Sequence, residues 1–583
     1  MRYYLHDLFT QTRDTDPDLR FMALNDLEKE LESPESKYTS EDKNQFADCL
    51  LRCLDDEFAE VRSQALKCFE SLSPRLGGYM VSVLNKLSSK KPNQLSITSS
   101  IYTMAIHNIL KNLTPDDSVG RSIVKGTLDI ILRDQDIFCN AIDYIEILTD
   151  ILEYLGKYFT SQQLSKSSTM LVYASFHADA IIAKKSVSAL SILSRGLTSS
   201  SILDSILNLA LEQVQSSDEI KYEAVYLSIA AALIKSNPVV IMGIYSKIKP
   251  YIMNALRLDT LNKPDDDFDV QQDIDIIRSE AFTCLYTTFA NVSSKITSQY
   301  SDEVLNACRL FLTYDPYSEN SSEWDNDVIG DNNAEEETDN EYVEYTSEEE
   351  QYEEEEECDE YGSSNSWMLR KDAAALIKII IQKLPTKLPS VYRFTLKQLA
   401  LELSESNSTS LTEILNCFVE LFKATNKSGP FHTLKSMNSL RQSAIARRGS
   451  DVSMKTDDDP RTELELNADN LCKFYVRILT PRHSEKLTLL YEFITQLSCA
   501  VEGLNKDWIP KILTALNRLR NGPPFCQYIT IRLKVSLFNQ SINLLTASQN
   551  GFDSVIPLLN ILLWCFCPCL FKKLFAAHMN KRA

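Results

Sequence analysis

One apolar–Arg–x–x–Ala pattern returns along the chain at a fixed distance. In "DPDLRFMALNDLEKEL" it is Leu19, Arg20, Ala23 and Leu27; in "FAEVRSQALKCFESL" it is Val61, Arg62, Ala65 and Phe69, an offset of 42 at every position. It recurs as Ile277, Arg278, Ala281 and Leu285, and as Leu369, Arg370 and Ala373. Weaker copies lie between, in "DIFCNAIDYIEILTDIL", "IIAKKSVSALSIL" and "EIKYEAVYLSIAAAL". Apolar residues at i, i+4 and i+7 or i+8 form one face of an amphipathic helix. The small Ala lets a neighbouring helix axis come close, and an acid at the start, such as Asp18 or Glu60, suits the helix N-terminus. A second amphipathic stretch precedes each copy, for example "KNQFADCLLRCL" or "GYMVSVLNKL".

Two helices per period of about 40 residues is the HEAT or armadillo arrangement, because one such pair cannot cover its own apolar face and has to stack on its neighbours. The expected fold is an all-α superhelix, or solenoid, with a concave surface suited to gripping another protein. Its first segment is residues 1–314. Three stretches interrupt the period. "RLDTLNKPDDDFDVQQDID", around 257–275, reads as a lengthened turn because of its Pro and acids. Residues 315–365 form a long acidic insert, expected to be disordered by charge repulsion. Repeats resume over 366–425, and 426–461 is a polar insert, after which helical repeats fill 462–583. Within the polar insert, "RRGS" places Arg447 and Arg448 just before Ser450, making Ser450 a candidate for phosphorylation by a kinase that selects basic flanks.

Charge sharpens the division. The formal net charge is −21, yet Glu319 to Glu360 alone holds 21 acidic residues and no basic ones; the remainder carries 60 acids against 60 bases. A neutral remainder argues against nucleic acid as the main partner. The 14 cysteines are scattered, mostly at apolar helical positions, which fits reduced thiols and a cytoplasmic or nuclear setting. The amino terminus has no apolar run of the kind a secretory signal needs. No Gly-rich phosphate loop or His/Cys ligand spacing is present apart from Cys565, Cys567 and Cys569, which lack a fourth ligand nearby. Neither an enzyme, a metal nor a cofactor is expected. The apolar stretch Val555 to Phe571 is short for a membrane span and is broken by Pro557, Asn560 and Pro568.

"DLRFMALNDLEKEL", "EVRSQALKCF" and above all "LTYDPYSEN", leading into acid and then "SWMLRKDAAA", resemble the amino-terminal part of the cullin-associated, neddylation-dissociated (Cand) family, over about residues 1–400. The nearest pattern is that of short or split fungal relatives. The resemblance implies a non-enzymatic HEAT solenoid that binds a cullin and its RING subunit when the cullin lacks its ubiquitin-like modifier. It also implies limits on neddylation and an influence on SCF complex assembly. Exchange of substrate receptors belongs to the family's carboxyl-terminal half, which a separate polypeptide would have to supply here. Candidate partner contacts are Arg20, Asn25, Asp26, Glu60 and Arg62, although Arg20 and Arg62 stand where a HEAT Arg commonly bonds to a neighbouring repeat. Two other readings fit parts of the chain: a nuclear transport receptor that binds a small GTPase, and a tail-anchored helical scaffold.

Overall fold

The computed structural model describes residues 2–33, 38–90, 100–217, 219–257, 268–314, 366–404, 407–427, 460–478, 486–500 and 512, and every regular element among them is helical. Packing divides the chain into two units, Met1–Leu256 with Ile276–Val292, and Arg257–Asp275 with Ser293–Ala583. The acidic stretch, the Ser450 site and the apolar carboxyl-terminal stretch lie outside the described residues.

The first unit opens with six successive helix pairs. They are Arg2–Gln11 with Pro17–Glu32, Ser40–Cys53 with Ala59–Leu76, Met80–Ser88 with Ile101–Asn112, Asp117–Ile131 with Ile142–Leu155, Ser161–Ser175 with Ala180–Arg195, and Ser200–Ser216 with Lys221–Ser236. Second helices pack one on the next through the whole series. The alanines of the repeated pattern sit at these contacts: Ala23 and Ala65 are buried, so adjacent axes approach closely. Phe46, Phe69 and Phe138 fill the space between layers.

Polar side chains fasten neighbouring repeats together. Ser73 donates to the Ile109 carbonyl at 2.7 Å, the Cys68 thiol to Leu24 at 3.3 Å, and the Asn237 amide to both Ser194 and Leu197 carbonyls at 2.8 and 2.9 Å. Each such bond contributes about 1 kcal/mol net, and more importantly leaves the buried group satisfied. The helices start where side chains can cap them. Asp16, Asp116, Asp134 and Asp179 accept N–H groups of the first turn, while Thr39 and Thr160 form reciprocal boxes with Asp42 and Gln163.

The second unit repeats the scheme with Ser301–Leu312 and Ser366–Lys383, Leu388–Leu401 and Ser408–Lys427, and Pro460–Ile478 and Leu487–Ala500. Its second helices again pack in series, and its first helices form the other layer. Phe418, Phe422 and Phe493 meet edge-on or tilted at 5.2–5.7 Å, and Tyr475 stacks on Phe493 at 5.8 Å. Such aromatic contacts add to simple burial.

Two details differ from the sequence reading. The stretch 257–275 is not wholly a turn, because the helix Phe268–Asn291 begins inside it. Its Val270, Ile274 and Ile277 keep the i, i+4, i+7 spacing, which prevails over the local density of acid. Leu19, the apolar leader of the first copy, is exposed, although Val61 and Leu369 at the same position are buried. The eight described cysteines are free thiols, and seven of them are buried.

Candidate protein-binding surface

The repeated arginine has a definite task. Arg20 spans from its own turn to the next: Nη1 donates to the carbonyls of Asp14 and Thr15 at 2.8 and 3.0 Å, while Nε and Nη2 grip both carboxylate oxygens of Asp56 at 2.7 and 2.9 Å. This bidentate fork is geometry that Arg provides and Lys does not. Its guanidinium also lies 5.6 Å from the Phe58 ring centre. One repeat later, Arg62 Nη1 donates to the carbonyls of Asp56 and Glu57 at 2.7 and 3.0 Å. Asp56 is therefore the hub between the first two pairs, and its carboxylate also accepts the Phe58 N–H at 3.0 Å. Partial burial opposes the charge on Asp56, but Arg20 and the Phe58 N–H outweigh it and hold the carboxyl below the usual aspartate range. In turn, the hydrogen bond from Asp56 keeps Arg20 more firmly protonated.

Of the five candidate contacts, Arg20 and Arg62 thus share one hub and hold the turns. Glu60 is exposed in the first turn of its helix, and Asn25 and Asp26 are half-buried, with Asp26 3.0 Å from Lys29. These three are presented outward rather than gathered into a cluster. Sequence reasoning missed what surrounds them. Leu19 and Met22 are 42% and 59% exposed, whereas their counterparts 42 residues on, Val61 and Gln64, are 1% and 3% exposed because the first pair covers them. Asp26 likewise corresponds to Cys68, which is fully buried. The first pair therefore presents an open stacking face, apolar at Leu19 and Met22 and polar at Asn25 and Asp26. The 42-residue offset contained that signal: positions which cover a preceding repeat elsewhere have none described before them here.

Among the described residues no group of three or more His, Cys, Asp or Glu could hold a metal ion, and no helix is long and apolar enough to cross a membrane. What the arrangement supports is protein contact spread over several helices.

Comparison with known proteins agrees. The HEAT repeat pattern matches residues 46–76, the second pair. The cullin-associated NEDD8-dissociated protein 1 of Candida albicans is 25% identical over 71% of this chain and 35% of its own length. The separate amino-terminal part of that protein in Emericella nidulans is 34% identical over 21% of this chain and 40% of its own. The Drosophila melanogaster protein is 21% identical over 73% and 32%. The chain is similar to Cand proteins over most of its length. It spans about a third of the length of the curated relatives it matches, one of which is itself named as an N-terminal part.

Proposed function

We propose that the chain is a non-catalytic regulator that binds the cullin–RING core of an SCF-type ubiquitin ligase while the cullin carries no NEDD8, and that it limits neddylation by occupying that surface. The observation that carries this reading is the breadth of the match. Proteins named as cullin-associated and NEDD8-dissociated in yeast, fly and plant align over 71%, 73% and 76% of this chain. Existence of a relative described as an amino-terminal part supports a division of labour. In that division this chain supplies the grip, and a second polypeptide supplies what the rest of the family's length does in SCF assembly. Asn25, Asp26 and Glu60 act as contacts together with Leu19 and Met22, whereas Arg20 and Arg62 set the turns that present them. The binding takes place in the cytosol or nucleus.

The test is mass spectrometry of proteins co-purifying with the tagged chain, with the cullin's modification site blocked and with modification forced. Enrichment of a cullin and its RING subunit in the first condition is expected. Equal recovery in both conditions rejects a NEDD8-sensitive grip, and recovery of a small GTPase in its GTP form instead would favour a transport receptor.

A further inference from the structure

The two layers of the first unit are not equally closed. Second helices touch throughout, but among first helices Met80–Ser88 packs on Asp117–Ile131 far more closely than on Ser40–Cys53. At that contact a Cβ on Gly126 would stand 2.6 Å from Asn85 Oδ1, so a larger residue there would push the end of the Asn85 side chain aside. On the other side of Met80–Ser88, against Ser40–Cys53, lies an open groove of about 1290 Å³. That exceeds the roughly 300–1,000 Å³ of small-molecule sites.

Leu51, Val81 and the Tyr79 ring supply an apolar surface. Around it stand four cations, Lys43, Arg52, Lys86 and Lys90, against two carboxylates, Asp48 and Asp55. Lys86 pairs with Asp48 at 2.9 Å and Lys90 with Asp55 at 2.7 Å. Both pairs are in solvent, where such bonds are worth about 0–1 kcal/mol and exchange readily for another carboxylate. Lys43, 5.7 Å from the Tyr79 ring centre, and Arg52 make the balance positive. Outside the acidic stretch 319–360 the chain is formally neutral, so this is a local excess of positive charge.

We propose that this groove docks an acidic amphipathic helix from a partner protein, its apolar stripe on Leu51 and Val81 and its carboxylates on the lysine rim. The walls are themselves helices, and the nine residues of Met80–Ser88 run about 13 Å, which matches a guest of about two and a half turns. The proposal rests on the groove alone and stands whether or not the cullin reading holds.

The experiment titrates the full chain against a fluorescent 12-residue peptide of Glu, Leu and Ala with leucines at i, i+3, i+4 and i+7. A scrambled peptide and one with Lys in place of Glu serve as comparisons. The acidic helix is expected to bind at least 10-fold more tightly than either and to slow hydrogen exchange in residues 43–55 and 79–90. Val81→Glu and Lys43→Glu should each weaken binding at least 10-fold, with melting curves confirming that the fold persists; Lys43→Glu alone decides if Val81→Glu unfolds. Lys111→Glu, exposed outside the groove, should leave binding unchanged. Equal binding of the acidic and scrambled peptides, no binding of any, or indifference to Lys43→Glu overturns the proposal. So does a peptide-free dimer that Val81→Glu makes monomeric, since the groove would then belong to a second copy.

Discussion

Arg20 in the first unit and Arg370 in the second perform the same task across very different lengths of chain. Arg20 holds the carbonyl of Asp14, six residues back, and reaches forward to Asp56 in the next turn. Arg370 holds the carbonyl of Tyr314 at 2.8 Å, 56 residues back, takes the Ser366 hydroxyl oxygen at 3.0 Å, and reaches forward to Glu402 at 3.5 Å. Tyr314 and Ser366, which flank 315–365 in the sequence, therefore both lie within reach of one guanidinium. Tyr314 is anchored further, because its hydroxyl receives the Gln271 amide at 2.9 Å and donates to Asp275 at 3.2 Å. The lesson is that the turn between paired helices is closed by side chains rather than by chain length. An insertion there costs only the slowly growing entropy of a longer loop.

Variants in the second unit should separate clamp from insert most strongly. Arg370→Ala removes charge-assisted bonds from a site that is mostly buried, and unfolding should cost about 2–4 kcal/mol less, read by denaturant titration. Replacing 315–365 with a six-residue Gly/Ser linker should do the opposite, raising stability by about 2 kcal/mol at most through the shorter loop. Tyr314→Phe, which takes away a hydroxyl shared by Gln271 and Asp275, should lose about 1–2 kcal/mol. If excision of the insert destabilised the unit more than Arg370→Ala, the two turns would not be equivalent.

In the first unit the effect depends on pH. The Asp56 carboxyl lies below its ordinary range in the folded chain, so its contribution is present above the unfolded value of about 4 and disappears as pH falls through the lower folded value. Asp56→Asn should therefore lower the melting temperature at pH 7, and the gap from wild type should close below pH 4. The smallest effect belongs to the open face: Leu19→Asp with Met22→Glu should change stability by no more than about 0.5 kcal/mol while weakening partner binding. Val61→Asp, at the covered equivalent of Leu19, should unfold the unit.

The 42-residue recurrence made helix pairs legible from sequence, because stacking imposes the same Arg, Ala and apolar demands on every repeat. Arg20 and Arg62 could be placed at repeat junctions for the same reason. Asp56 could not be named as their hub, since one carboxylate among 81 acids carries no periodic mark. The groove beside Met80–Ser88 was equally hidden: nothing in the local pattern says which neighbour a short helix will pack against more closely. The helix starting at Phe268 was obscured by acids that ordinarily mark a turn but here precede a regular apolar stripe.

The most direct test is to immobilise a purified cullin–RING core, with and without NEDD8 attached, and measure binding of the full chain by interferometry. Tight binding to the bare core, weakened at least 10-fold by the modifier, is the predicted result. Equal affinity for the two forms, or no affinity for the bare one, would contradict it.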